Sequence, residues 1–437
     1  MCRHWRSIAL ECATLWTNIA FSTSMLSTIR CARLFLSRSK NAALSVYVWD
    51  SGHAENLKIA RSSKKLLKTI STQAHRISTC QLSSPSPDFW RCWVAPAPNL
   101  RKLLLQGHGP EVPPVFRGEF PLLEALFSQY CTTWPLGNYA TLTHVELRNH
   151  SHHTSLTSLL DTLRGCVVLE GLVLDGYAFV VQEPPLLTPI CLPRLKQIDL
   201  QTSDSALILG HLEVPSLRGP VVILNSTSRR HILQALPANQ HNTPYLQGIT
   251  SLHVDLSTRS SYHCVAGFRG DGSTAVYLGI YGVSSRERSS WAQLSFTAIA
   301  FFSPFFNIRT ISLVTDAPAV PWELWLPNLA CVEELTASCP RPDGLLAALL
   351  ASSPENALPL LRNLTVYRRG RYSVVDHTAL MQFVLHRYRI ARPLRQLRLN
   401  REEWGWIQRL DETWVLLAQS QGKCRVSTTT RNSLIYS

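Results

Sequence analysis

The chain has 437 residues, 45% of them hydrophobic and 16% charged, with a formal net charge of +14. That apolar content calls for a folded protein, and the length allows two or three ordinary domains or one long repeat array. No apolar run reaches the length of about 18 residues that a membrane-spanning helix needs; the best candidate, AQLSFTAIAFFSPFF (292–306), is broken by Pro304 and reads as a buried helix.

The first twelve residues place Cys2, Trp5, Ile8, Ala9 and Cys12 on one face of a helix, and Leu15, Trp16 and Ile19 follow as a short second element. Trp5 and Trp16 are expected to pack on the first strands. Glu11 interrupts the apolar stretch and no small-residue cleavage site follows, so this is not a secretory signal. ALSVYVW (43–49) and RISTCQL (76–82) read as strands. Between them, 53–74 reads as a helix with Leu57, Ala60, Leu67 and Ile70 on a common face.

From residue 100 the pattern L-x-x-L-x-L recurs. It stands as LRKLLL (100–105), LTHVEL (142–147), LEGLVL (169–174), LKQIDL (195–200), IRTISL (308–313), LRNLTV (361–366) and LRQLRL (394–399). Weaker copies are LEALFS (123–128), LRGPVV (217–222), ITSLHV (249–254) and VEELTA (332–337). Nearly all spacings fall between 19 and 33 residues; the 59-residue gap after 249 holds AVYLGIYG (275–282), a degenerate strand. The last two apolar residues of each copy lie two apart, hence on one side of a short strand. One copy cannot bury that face alone, so the copies must stack.

Intervening segments fit helices. Leu156, Leu159, Leu160 and Leu163 share a face before Gly165. Leu345, Leu346, Leu349 and Leu350 follow Asp343, and Leu380, Phe383, Val384 and Tyr388 follow Asp376. Prolines 98, 121, 193, 327, 359 and 393 stand just ahead of strands, where the ladder has not begun. The Asn or Cys that a regular repeat carries three residues after its last apolar position occurs only as Cys131 and Asn225. The expected fold is therefore α/β: an irregular, strongly curved leucine-rich-repeat solenoid, a parallel sheet with helices and loops on its outer face. WGWIQRLDETWVLLAQS (404–420) reads as an amphipathic closing helix, and 427–437 as a tail or last strand.

Chemistry is sparse. No nucleophile elbow, phosphate-binding loop, dinucleotide fingerprint, HExxH or EF-hand loop is present, so no catalysis and no cofactor are expected. Twelve cysteines contain no C-x-x-C pair, HSHH (150–153) lacks cysteine or carboxylate company, and no metal site is expected. FRGDGS (268–273) is ordinary turn chemistry. Dispersed cysteines without a leader point to an intracellular protein, cytoplasmic or nuclear, and the sequons at Asn149, Asn225 and Asn363 read as chance matches. Charge is uneven: residues 361–401 hold ten arginines and one acid, Asp376. They read as solvated faces or, through Arg387, Arg389 and Arg392, as a surface for an acidic partner. Tyr367, Tyr372 and Tyr388 among those arginines leave nucleic-acid binding as a lesser alternative.

The segment MCRHWRSIALECATLWTNI resembles the second half of an F-box-like motif, C-R-x-W-R-x-I-A-x-x-x-x-x-L-W, on Cys2, Arg3, Trp5, Arg6, Ile8, Ala9, Leu15 and Trp16. The helix that precedes this pattern in the motif, with its L-P-x-E-I-like stretch, would lie ahead of Met1. Half-motif and repeats together resemble the F-box-like proteins predicted in mushroom-forming fungi. The resemblance implies a motif remnant at 1–22, a solenoid at 40–400 and a cap and tail at 401–437. It implies a substrate-recognition subunit of a Skp–cullin–F-box ubiquitin ligase, with Trp5, Leu15 and Trp16 contacting a Skp-type adaptor and the solenoid holding an unnamed protein substrate. A stand-alone binding scaffold that has lost ligase coupling is the competing reading.

Overall fold

The structure, a computed structural model, describes residues 2–51, 57–107, 115–131, 139–149, 155–176, 189–202, 204–218, 221–225, 248–257, 262–281, 307–315, 320, 322–326, 329–351, 358–368, 377–390, 392, 394–400 and 425–429. The segments 292–306, 150–153 and 404–420 singled out above lie outside these residues. The chain forms two compact units, Met1–Arg218 and Gly219–Ser437, a division inside the 40–400 span expected as one array.

In the first unit β1 (Asn18–Ser22), β2 (Leu44–Trp49), β3 (Ile77–Ser84), β4 (Lys102–Gly107), β5 (Ala125–Gln129), β6 (His144–Arg148), β7 (Gly171–Asp175) and, past the short β8 (Ile190–Cys191), β9 (Gln197–Gln201) pair in chain order, every pair parallel. β8 pairs separately with β10 (Leu212–Glu213). The sheet starts inside the segment expected as a motif remnant: Ile19 and Phe21 of β1 are fully buried, and β1 runs in register with β2.

Strand composition explains the core. In each repeat the two apolar residues two apart point inward, as Leu103 and Leu105, Val145 and Leu147, Leu172 and Leu174, Ile198 and Leu200. The first leucine closes a tight turn: the N–H groups of Leu100, Leu123, Leu142, Leu169 and Leu195 donate to the carbonyls of Ala97, Phe120, Tyr139, Cys166 and Leu192, each of which is itself buried. Pro98, Pro121 and Pro193 occupy the second position of these turns, where their fixed φ is an advantage. The helices Leu26–Arg38, Leu57–Ser71 and Leu156–Gly165 supply Ile29, Leu67, Ile70, Leu159 and Leu163 to the core. Between β3 and β6 aromatic rings take that role. Trp93 and Phe116 meet edge to face at 5.8 Å, and Phe120 lies 6.1 Å from Tyr139.

The second unit departs from the expected all-parallel sheet. Its strands are β11 (Val221–Asn225), β12 (Ile249–Leu256), β13 (Tyr262–Arg269), β14 (Thr274–Tyr281), β15 (Thr310–Thr315), β16 (Glu334–Cys339), β17 (Asn363–Arg368), β18 (Gln396–Asn400) and β19 (Arg425–Thr429). β12, β15, β16, β17, β18 and β19 follow one another in parallel. β13 runs antiparallel between β12 and β14, and β14 pairs in parallel with β11. The cause is the turn after Arg269: the Ser273 N–H donates to the Asp271 carboxylate and Gly272 takes a left-handed φ of 81°, so the chain folds straight back.

Two buried arginines fasten these turns. Arg76 donates from Nη2 to the carbonyls of Ser39 (3.3 Å) and Ala42 (2.9 Å), and from Nε to Ala42 (3.1 Å), ahead of β2. Arg387, on the helix His377–Arg389, donates from Nη1 to the Leu358 carbonyl (3.1 Å) and from Nη2 to that of Leu361 (2.7 Å), ahead of β17. In both cases the guanidinium spans the first and fourth carbonyls of one turn.

Arg76→Ala takes the side-chain donors from the Ala42 carbonyl and leaves that of Ser39 only its turn bond from the Ala42 N–H. It is expected to lower stability by about 2–4 kcal/mol in urea unfolding, whereas Arg101→Ala, which removes the exposed pair with Glu124, is expected to cost under about 1 kcal/mol. A second test concerns Asp199, on the outward side of β9. Burial raises its carboxyl above the ordinary range, and Oδ1 has no hydrogen-bond partner. A raised folded pKa adds stability below the unfolded value of about 4 and loses it as pH rises through the folded value. Asp199→Asn is therefore expected to raise the melting temperature at pH 7, with the gain vanishing toward pH 3.

Candidate protein-docking surface at the N-terminal helix

The helix Arg3–Glu11 buries none of its residues. Trp5 is 65% exposed and Leu15 59% exposed, and Ile8 and Leu10 are exposed as well. The expected packing of Trp5 on the first strands is thus corrected: after Cys12 the chain turns through the 3-10 segment Ala13–Trp16 straight into β1, which leaves the Trp5 side of the helix uncovered.

Trp16 behaves differently. Its Nε1 donates to the Ala9 carbonyl at 2.6 Å, its ring meets Phe35 edge to face at 5.0 Å, and the Arg38 guanidinium sits 4.5 Å over it. Trp16 therefore ties the first helix to the helix Leu26–Arg38, while Trp5, Ile8 and Leu15 remain available as an apolar contact set. Cys12 lies beside them; a hydrogen bond with Thr14 draws its thiol below the ordinary range. Exposed tryptophan and leucine of this kind form the centre of protein interfaces when a partner covers them.

The arginine surface needs a correction. Arg387 is only 3% exposed and its guanidinium is committed to Leu358 and Leu361, so it does not belong to a partner surface. Burial, with Arg392 nearby, lowers its pKa. Sequence reasoning saw its charge but not that it faces inward beside Phe383 on the same helix. Arg389 and Arg392 are exposed, as expected. Sequence reasoning also missed Arg398, which stands part-buried on the outward side of β18. Its place in LRQLRL, next to the inward Leu397, is the signal that could have found it.

Among the described residues no group of three or more His, Cys, Asp or Glu converges to hold a metal, and no helix is long and apolar enough to cross a membrane. The chain matches no family model, no curated protein and no solved structure.

The two tryptophans are expected to separate in mutagenesis. Trp16→Ala is expected to cost roughly 1–3 kcal/mol in urea unfolding, from its hydrogen bond, ring contact and cation contact. Trp5→Ala is expected to stay within about 0.5 kcal/mol of the parent.

Proposed function

We propose that this chain is a non-catalytic recognition subunit. In this reading the N-terminal helix docks a Skp-type adaptor of a Skp–cullin–F-box ubiquitin ligase, and the repeat sheets, of the leucine-rich kind, hold a protein substrate. The carrying observation is the uncovered apolar set Trp5, Ile8 and Leu15 on a helix that Trp16 fastens to the sheet-bearing body. It coincides with the F-box-like positions of the sequence. Broad sheet faces built from short parallel strands suit protein binding, because their outward residues vary freely while the inward ones keep the core. The reading needs no cofactor or metal.

The competing reading is a stand-alone binding scaffold with the same sheet but no adaptor. Nucleic-acid binding is supported less, because Arg387 is spent on backbone carbonyls and Arg362 lies 3.5 Å from Glu333.

Capture by an immobilised Skp-type adaptor decides between the first two. The full chain is expected to be retained, and Trp5→Ala and Leu15→Ala are each expected to abolish retention without changing the thermal melt. Failure of the unmodified chain to bind would establish the stand-alone scaffold instead.

A further inference from the structure

On β16, β17 and β18 the inward positions are Leu335 and Ala337, Leu364 and Val366, and Leu397. Alternation places Thr336, Thr365 and Arg398 on the opposite side, and the strand register sets Thr336 beside Thr365 and Thr365 beside Arg398. Arg398 is part-buried, and its Nε is shut off from solvent without a hydrogen-bond acceptor. Among the described residues its side chain makes no hydrogen bond or ion pair.

This sets Arg398 apart from the arginines above. Arg76 and Arg387 direct their terminal nitrogens to carbonyl oxygens, although the Arg387 Nε, like that of Arg398, has no acceptor, and Arg309 and Arg362 both approach Glu333. Glu334, an acid on this side of β16, already accepts from Asn363 Nδ2 at 2.7 Å. A guanidinium held partly out of water with an empty fork is matched by a planar anion that takes two parallel N–H bonds. One fixed cation beside neutral hydroxyls balances a single negative charge better than a doubly charged phosphate.

We infer that the outward face of β16–β18 binds an acidic segment of a partner protein, with Arg398 pairing with an Asp or Glu carboxylate, Thr365 beside it on the adjacent strand and Thr336 one strand further. The inference deepens the proposed recognition role and rests on it for the partner's being a protein. It also moves the acidic-partner surface from Arg387 to the sheet.

The test is fluorescence anisotropy of a labelled poly-Glu peptide titrated with the full chain. Saturable binding that weakens with added salt is expected, with affinity about tenfold lower for Arg398→Gln and only partly restored by Arg398→Lys. The double change Arg389→Gln, Arg392→Gln is expected to leave affinity within about twofold, since exposed, unfixed charges contribute little. Unaltered binding by Arg398→Gln, with its thermal melt intact, overturns the inference. A phosphoserine peptide that binds more tightly than poly-Glu overturns the choice of a carboxylate. Adaptor capture reads the Trp5 face and peptide binding reads Arg398, so either proposal can fail while the other stands.

Discussion

The Glu124 N–H donates to the Arg101 carbonyl, Thr143 to Glu124, Glu170 to Thr143 and Lys196 to Glu170, all between 2.7 and 2.8 Å. Each of these is the second residue of its L-x-x-L-x-L copy. The second unit repeats the bond through Arg309, Glu333, Arg362 and Arg395 at 2.7 Å. This one backbone bond sets the register from which the rest follows. With it made, the first leucine of each copy must close its turn, the next two apolar residues must point inward, and the residues between them must point out. It also explains the charges at that second position: Arg101 meets Glu124, Lys196 meets Glu170 at 2.7 Å, and Glu333 lies between Arg309 and Arg362. Exposed pairs of this kind add little energy. Their effect is to make neighbouring copies electrically compatible.

Among the described residues no continuous side-chain ladder holds the turns: the expected Asn or Cys stands only at Asn225 and at Cys131. Its thiol approaches the Gln129 carbonyl at 3.5 Å, and burial raises its pKa. The turns are held instead by proline and, at two places, by arginine. Burying a guanidinium is costly unless its N–H groups are occupied. Arg76 meets that condition, and Arg387 does so at both terminal nitrogens though not at Nε, with carbonyl oxygens rather than acids, so these charges organise backbone.

Much of this was legible in the sequence. The copies from 100 to 200 and from 308 to 399 gave strands displaced by about two residues from the expected starts, because the first leucine belongs to the turn and not to the strand. β1 was hidden because NIAFS is too short to show alternation and follows directly on the apolar positions Leu15 and Trp16. β13 was hidden because YHCVAGFR carries no leucine and copies no repeat; only the FRGDGS turn beside it marked the place. The difference between Trp5 and Trp16 was not legible at all. Helical spacing puts apolar residues on a face, but only the path of the chain after Cys12 decides whether that face is covered.

The backward step through β12, β13 and β14 has a consequence for the order in which the second unit assembles. In most of the repeats a strand pairs with its neighbours in sequence, so pairing can spread from one to the next with short loop closures. β11 also pairs with β14, some fifty residues further on and reachable only after the hairpin has turned back. During synthesis β11 therefore emerges before β14, and the edge that pairs with β14 must wait. Among the described strands the hairpin is thus where chain order and assembly order part, and the natural point for a folding chain to pause.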